Sequence, residues 1–294
     1  MPSSDLIHRF IFDKADLRGE ISTLQDSYGE VLQHNSHLPE RVKSLLGEFL
    51  AAVTLLSGTL KFDGILTLQA RGDGPLTLVM AECSHHRAVR AIARLDPDAD
   101  DAALAALDMQ ALLGSSVLAI IIEPDKGERY QGIVPLDGGS LAACLEQYFA
   151  RSEQLPTRFW LASDGTTCTG MMLQALPRQV ASVEANQQLW ETATVLADTV
   201  KQEELLSLPH GQLLHRLFHE QEVRLFEPAA VHFACSCSRE RSANALVSLG
   251  RAEVEALLVE QDMINIDCQF CNRSYAFGAA DLDQLFGPGE RELH

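Results

Sequence analysis

Four cysteines in the last quarter of the chain constrain its fold more than any other feature. Cys235 and Cys237 form a Cys-x-Cys pair, and Cys268 and Cys271 form a Cys-x-x-Cys pair thirty residues further on. Each pair offers two sulfurs from one tight turn. The intervening chain need only fold back to bring the pairs together, which is what a tetrahedral four-cysteine zinc site requires. The same neighbours can instead become two disulfides, one within each pair. A short C-terminal module has a thin core, and small domains lean on metals; structural zinc contributes about 10–16 kcal/mol in small zinc peptides. A disulfide sulfur is a poor zinc ligand. Joining Cys235 to Cys237 and Cys268 to Cys271 would leave no thiolate for the ion, and loops that short restrain an unfolded chain very little. The spacing therefore allows a switch from zinc-bound and folded to disulfide-bonded and unfolded. It equally allows a permanent structural zinc module.

Length and charge narrow the field. The 294 residues suffice for one large domain plus a small one, and the 46% apolar content can fill a core. Residues 1–13 carry acidic Asp5 and only a short apolar stretch, Phe10–Phe12, and do not read as a secretory signal. No apolar run approaches the roughly 20 residues that span a bilayer, so no membrane partner is expected. The expected compartment is a reducing cytoplasm, where paired cysteines point to metal or redox chemistry. The net charge of −18 repels phosphate backbones, so no nucleic-acid partner is expected. Residues 232–294 hold 5 Lys/Arg against 10 Asp/Glu, unlike the basic face of a zinc ribbon that docks on DNA.

The first 178 residues read as mixed α and β. Ile7–Phe12 is strand-like. Glu40–Leu56 is an amphipathic helix with Pro39 at its start. Leu66-Leu68-Ala70 and Leu76-Leu78-Met80 alternate with period two around Gly72-Asp73-Gly74-Pro75, the pattern of a β-hairpin. Val117–Ile122, Gln131–Leu136, Arg158–Ala162 and Met171–Leu176 read as further strands and Leu141–Phe149 as a helix. Strands and helices do not alternate regularly, so the class is α+β rather than a doubly wound sheet. Residues 179–231 have one glycine, Gly211, and no convincing strand. Two apolar stripes, Leu189-Ala193-Leu196-Val200 and Leu213-Leu214-Leu217-Phe218, flank Pro209. Neither helix can bury its stripe alone, so this segment is a helical linker that depends on its neighbours. Residues 232–294 form the C-terminal module, with a helix Arg239–Leu249 closed by Gly250, a helix through Val254, Leu257 and Leu258, and a short strand at Ile264 and Ile266 leading into the second cysteine pair.

Other candidates carry less. Cys83, Cys144 and Cys168 are isolated and read as inert. His215 and His219 sit one turn apart, but Arg216 stands where a zinc hydrolase places its glutamate. His85 and His86 lack partners, and Glu153 reads as a surface carboxylate. Gly72-x-Gly74 and Gly138-Gly139 lack the strand–loop–helix frame of a phosphate cradle, and there is no Ser-His-Asp or Cys-His constellation. From the residues alone two further functions stay open. One is a thiol–disulfide oxidoreductase using Cys268 and Cys271, against which stand the missing βαβ frame and the competing second pair. The other is a structural zinc ribbon that docks a partner.

Three strings support a family resemblance: Cys235-Ser236-Cys237 with Cys268-Gln269-Phe270-Cys271; Leu60-Lys61-Phe62-Asp63-Gly64 followed by Leu66-Thr67-Leu68-Gln69; and Gln147-Tyr148-Phe149 continuing through Ser152-Glu153-Gln154-Leu155-Pro156-Thr157. On these the whole chain resembles the bacterial 33-kDa heat-shock proteins, a family of redox-regulated molecular chaperones. The resemblance implies an α+β N-terminal domain (1–178), a metastable helical linker (179–231) and a zinc-holding redox-switch domain (232–294). It implies one zinc on Cys235, Cys237, Cys268 and Cys271 in the reduced, inactive form. Oxidants such as hypochlorous acid, or peroxide with unfolding stress, would form the Cys235–Cys237 and Cys268–Cys271 disulfides and release the zinc. The linker would then open, the protein would form a homodimer, and it would hold unfolded client proteins without ATP and without acting as an enzyme. Leu189, Trp190, Leu196, Leu213, Leu217 and Phe218 are candidate client surface, with no single residue assigned.

Overall fold

The computed structural model describes residues 5–59 and 63–287. The chain opens with an antiparallel pair, β1 (Leu6–Phe12) and β2 (Leu17–Leu24), followed by helices α1 (Asp26–His34) and α2 (Glu40–Thr59). Asp5 starts α1. Its carboxylate accepts from the backbone N–H of Gln25 and Ser27, each at 2.6 Å, and of Asp26, three donors that a helix start leaves without internal partners. A meander follows: β3 (Gly64–Arg71), β4 (Leu76–Ser84) and β5 (Ala88–Leu95), then the short helices α3 (Asp101–Leu104) and α4 (Met109–Leu113), then β6 (Val117–Pro124) and β7 (Tyr130–Pro135). Helix α5 (Leu141–Tyr148) runs into a π-helical turn, Phe149–Glu153, before the antiparallel strands β8 (Thr157–Ser163) and β9 (Cys168–Ala175).

The segment 179–231 supplies three helices, α6 (Val183–Ala197), α7 (Gln202–Ser207) and α8 (His210–Phe218), and two short strands, β10 (Val223–Leu225) and β11 (Ala229–Ala230). Strand β12 (His232–Phe233) follows at once. One sheet has the order β10-β1-β2-β9-β8, with β11 also on β1; the other has the order β12-β5-β4-β3-β6-β7. All pairings are antiparallel except β12 on β5.

Helix α2 lies between the two sheets. Leu45, Leu46, Phe49, Leu50 and Leu55 are at most 1% exposed and join Leu24 and Met172 of the first sheet with Leu66, Leu68 and Val79 of the second in one core. The approach is close enough that a Cβ on Gly170 of β9 would fall 2.7 Å from Leu55. By length and composition α2 is apolar enough to cross a bilayer, with a mean hydropathy of 1.3 in its best window. Arg41, Lys43 and Glu48 interrupt it, so it is not an unbroken apolar run of that length. The helix is apolar on most sides because a sheet covers it on each side, and 67% of that window is buried.

The opposite face of the first sheet holds a second core. Phe10, Phe12, Ile21, Met171 and Leu173 from the strands meet Ala193, Ala197, Leu205, Leu213, Leu217 and Phe218 from α6–α8. Phe218 packs edge-on against Phe12, ring centroids 5.3 Å apart. Polar anchors fix the helices over this face. The Asp16 carboxylate accepts from Val180 N, Ala181 N and Asn186 Nδ2, and Asp198 accepts from Arg158 and from the Trp160 indole. The reading of 179–231 as strandless is corrected by β10 and β11. They are three and two residues long, too short for an alternating pattern, and form only because β1 offers an open edge.

Beyond Ala234 the chain makes a separate compact unit, Cys235–His294, distinct from Met1–Ala234. It contains α9 (Arg239–Leu249), α10 (Arg251–Gln261), an antiparallel hairpin of β13 (Met263–Asp267) and β14 (Ser274–Gly278), and α11 (Leu282–Phe286). Gly250 closes α9 at φ +92°. Its core is five buried residues: Leu246, Val254, Leu258, Ile264 and Phe277.

Phe218 is 1% exposed at the centre of the second core. Phe218→Ala is expected to cost about 3–5 kcal/mol. Limited proteolysis should then cut within 183–218 before it cuts the sheets. Simultaneous cleavage of both would show that the helices are not separable from the sheet beneath them.

Candidate metal centre

The C-terminal unit brings its four cysteines to one point. Cys235 and Cys237 lie on the extended stretch before α9, whose first turn is capped by the Ser238 side chain accepting from Arg241 N. Cys268 and Cys271 lie on the turn of the β13–β14 hairpin. There Cys268 N donates to Arg273 O at 2.9 Å and Asn272 N donates to Cys268 O at 2.7 Å, with Asn272 left-handed at φ +54°. These bonds curl the turn so that both thiols face the same way. Arg239 ties the two pieces together: its guanidinium donates to Ala276 O at 2.6 Å and to Asp281 at 2.7 Å, and lies 4.4 Å from the centroid of the Phe277 ring. Arg241 donates to Ser236 Oγ between the first two cysteines.

The Sγ atoms of Cys235 and Cys268 are 3.5 Å apart, those of Cys237 and Cys271 are 3.4 Å apart, and all four lie within 4.8 Å of one another. None is in a disulfide. A tetrahedral ion with bonds of about 2.3 Å separates its sulfurs by about 3.8 Å. The observed spacing fits that geometry, so the four cysteines could hold a metal ion. Four sulfur donors are the set that zinc and iron take in tetrahedral sites.

The protons of this cluster are shared unequally. Burial raises the Cys237 thiol, but the Tyr275 hydroxyl, which donates to its Sγ at 3.2 Å, and the neighbouring sulfurs reverse this and lower it to about 7. Cys271 is pushed up to about 12, by burial first and then by the sulfurs around it. Cys268 is raised, again chiefly by burial. Without a cation, one thiolate is favoured and further negative charge on the cluster is opposed. A bound dication would remove that opposition, since sulfur must be deprotonated to coordinate.

The remaining candidates fall elsewhere. Cys83, Cys144 and Cys168 are buried, and burial raises all three thiols, Cys83 to about 11. His215 on α8 and His219 just past its end are exposed, with ring centroids 5.8 Å apart. The four C-terminal cysteines are the only group of three or more clustered metal-ligating side chains among the described residues. His85 accepts from Gly64 N, and Glu153 accepts from Tyr148 at the surface. Of the upstream string, Leu60–Phe62 lies outside the described residues, whereas Gln147–Thr157 covers the end of α5, the π-helical turn and the start of β8. Leu213, Leu217 and Phe218 are buried and Leu189, Trp190 and Leu196 partly buried, all in the second core. Tyr275 and Arg239 were not found by sequence reasoning. The period-two pattern of the hairpin would have placed Tyr275 two residues along from Arg273, on the same face; nothing in the sequence pointed Arg239 at Phe277.

A two-unit α+β protein with four thiols converging in the smaller unit is thus defined by fold and site. The model of the Hsp33 protein family matches residues 5–278. A 33 kDa chaperonin of Ectopseudomonas mendocina is 53% identical over 285 residues, covering 96% of this chain and 95% of the relative. One of Pseudomonas paraeruginosa is 54% identical over 288 residues, with 97% and 96% covered. The crystal structure of the 33 kDa chaperonin of Thermotoga maritima superposes with a TM-score of 0.79 at 23% identity, over 95% of this chain and 97% of that one. The chain belongs to the Hsp33 family.

With five buried residues in its core among the described residues, the smaller unit should depend on a metal ion held by the four cysteines. Treating the metal-loaded protein with a strong chelator is expected to abolish amide protection across 235–287 while leaving the sheets of Met1–Ala234 protected in hydrogen exchange. Full protection of β13 and β14 after metal removal would show that the apolar core alone suffices.

Proposed function

We propose that this protein is an ATP-independent holdase chaperone whose activity is set by the oxidation state of Cys235, Cys237, Cys268 and Cys271. The observation that carries the reading is the convergence of these four thiols in a thin-cored unit of an Hsp33-family chain. The reduced form holds one zinc and is inactive. Zinc, when bound, keeps the four sulfurs as thiolates and joins the stretch before α9 to the β13–β14 turn.

Oxidation by hypochlorous acid or a peroxide takes two electrons from each pair. A Sγ–Sγ bond forms between Cys235 and Cys237 and another between Cys268 and Cys271, one oxidant molecule being consumed per pair; the oxidant takes up protons from solvent and is reduced to chloride and water, or to water, and the sulfurs would no longer serve as ligands. Sulfurs of different pairs lie as close as 3.4 and 3.5 Å, so the choice of partner matters. Crosslinks between the pairs would hold the stretch before α9 on the hairpin turn. Bonds within the pairs close very short loops and restrain the unfolded chain little, so they free the unit.

Loosening then passes along the backbone through β12, β11 and β10 to α6–α8. Their release uncovers apolar side chains around Leu189, Trp190, Leu196, Leu213, Leu217 and Phe218, on which unfolded clients and a second copy of the chain can settle. The working form is accordingly a homodimer in the cytoplasm, with no catalysed reaction and no nucleic-acid or membrane partner.

The direct test follows zinc release with a colorimetric chelator and aggregation of a denatured client by light scattering while the reduced protein is oxidised. One zinc per chain should appear as suppression begins. Release with no suppression at any oxidation state would remove the chaperone reading. Mass mapping of the oxidised protein should find the two within-pair disulfides; crosslinks from Cys235 to Cys268 would contradict the mechanism. The double variant Cys268→Ser/Cys271→Ser is expected to lose tight zinc binding and oxidant control and to suppress aggregation constitutively. Normal switching with one zinc retained would overturn the four-cysteine assignment.

A further inference from the structure

The start of α8 is joined to the first sheet by a chain of side chains that the redox mechanism does not use. His8 Nδ1 on β1 lies 2.8 Å from His210 Nδ1, and His210 Nε2 lies 2.8 Å from Thr23 Oγ1 on β2. Thr23 Oγ1 lies 3.4 Å from Thr169 Oγ1 on β9, which donates to Ser22 O at 2.8 Å. One ordering of protons satisfies every member: His8 donates to His210, His210 to Thr23, Thr23 to Thr169 and Thr169 to the carbonyl. In that ordering His210 is neutral, and a second proton on its Nδ1 would face the His8 donor head on unless His8 gave up its own Nδ1 proton. His210 is 8% exposed. It borders a cleft of about 440 Å³ that also reaches His8, Thr23 and Pro209, so protons have access.

We propose that the His8–His210 pair is an acid-sensitive latch that keeps α8 docked on the sheet at neutral pH and loosens the helical segment in mild acid without thiol oxidation. Burial, and then the neighbouring His8, lower His210 to about 4, and burial lowers His8 against the pull of Glu227. A group lowered in the docked state binds more protons once undocked. Docking is therefore at full strength above about 6.5 and weakens as pH falls towards about 4.

The charged groups around the pair do not mask this. The sheet face beneath α8 carries Leu6, Phe10, Gly19, Ile21 and Met171 beside the chain, none of them charged. On the helices, Glu204 is paired with Arg216 and Glu203 lies on α7. Asp16, at the other end of the segment, is held down to about 2, first by Asn186, so its anchor survives through this range. Glu20 and Glu48 act in the opposite sense. Burial pushes them up to about 8 and about 7 against nearby arginines, so protons favour the folded sheets over the same interval. Acid should thus loosen the segment while the sheets hold.

The biological meaning of such a latch rests on the proposed role of the helical segment, but its test does not. Hydrogen exchange of the full-length, reduced, metal-loaded protein would be followed from about pH 7.5 to about pH 5, corrected for intrinsic rates, in wild type, His210→Gln and His8→Gln. In wild type the opening equilibrium of 202–218 should rise about tenfold per pH unit below about 6.5, and His210→Gln should largely remove that slope. A wild-type slope in both variants, or sheet and segment opening together, would overturn the latch. If the variants do not fold, the imidazole resonance of His210 in wild type decides: it should remain neutral through about pH 5 while α8 is docked, and titration at the ordinary histidine value would sink the idea. Opening without suppression of client aggregation would support the latch and count against the holdase reading.

Discussion

The first sheet has two apolar faces, and every other part of the larger unit follows from covering them. One face takes α2, which the second sheet covers from the far side. The other takes α6–α8. The buried residues of these helices, Leu213, Leu217 and Phe218 among them, share one core with Phe10, Phe12, Ile21, Met171 and Leu173 beneath. The helical segment is thus fully folded on a sheet that would keep α2 and its ladder partners if the helices left. Docking of this kind has a free energy that local changes can tip.

The two units are held by different physics. Met1–Ala234 relies on apolar area, with α2 nearly enclosed. Cys235–His294 has a small apolar core and four sulfurs brought within 4.8 Å of one another. Apolar burial responds little to oxidants, whereas thiolate ligands lose their donor chemistry as soon as they are oxidised. Under the proposed function, the small unit is therefore where an oxidant would act first. The polar anchors of the helical segment add a second distinction. Asp16 keeps its charge far into acid, while burial holds His8 and His210 below the ordinary histidine value.

Sequence patterning reached the elements whose burial has one period. The hairpin of β3 and β4, the helix α2 and the helix α9 closed by Gly250 were legible because alternation, helical spacing and a left-handed glycine are local signals. Strand β2 was not. Its residues are buried on both faces, Arg18 is occupied with Gln174 and Glu20 is 1% exposed, so Leu17–Leu24 shows no alternation and carries charges where a core strand should not. Strand β5 was missed as well, and β10, β11 and β12 are ladders completed by neighbours rather than strands announced by their own residues. The apolar character of α2 was likewise underread, since only the enclosure by two sheets explains a helix so uniformly apolar.

Local spacing was enough for the α+β class and for the grouping of Cys235, Cys237, Cys268 and Cys271, because the separation of residues along the chain is a covalent fact that survives any fold. Folding in three dimensions was needed to settle which sulfurs of the two pairs face each other, that Tyr275 donates to Cys237, that the stripes of 179–231 close over the sheet as well as on each other, and that His8 meets His210. Those contacts join residues as many as 202 positions apart, and no local pattern encodes a meeting at that separation. It is set by which apolar faces remain uncovered once each element has formed.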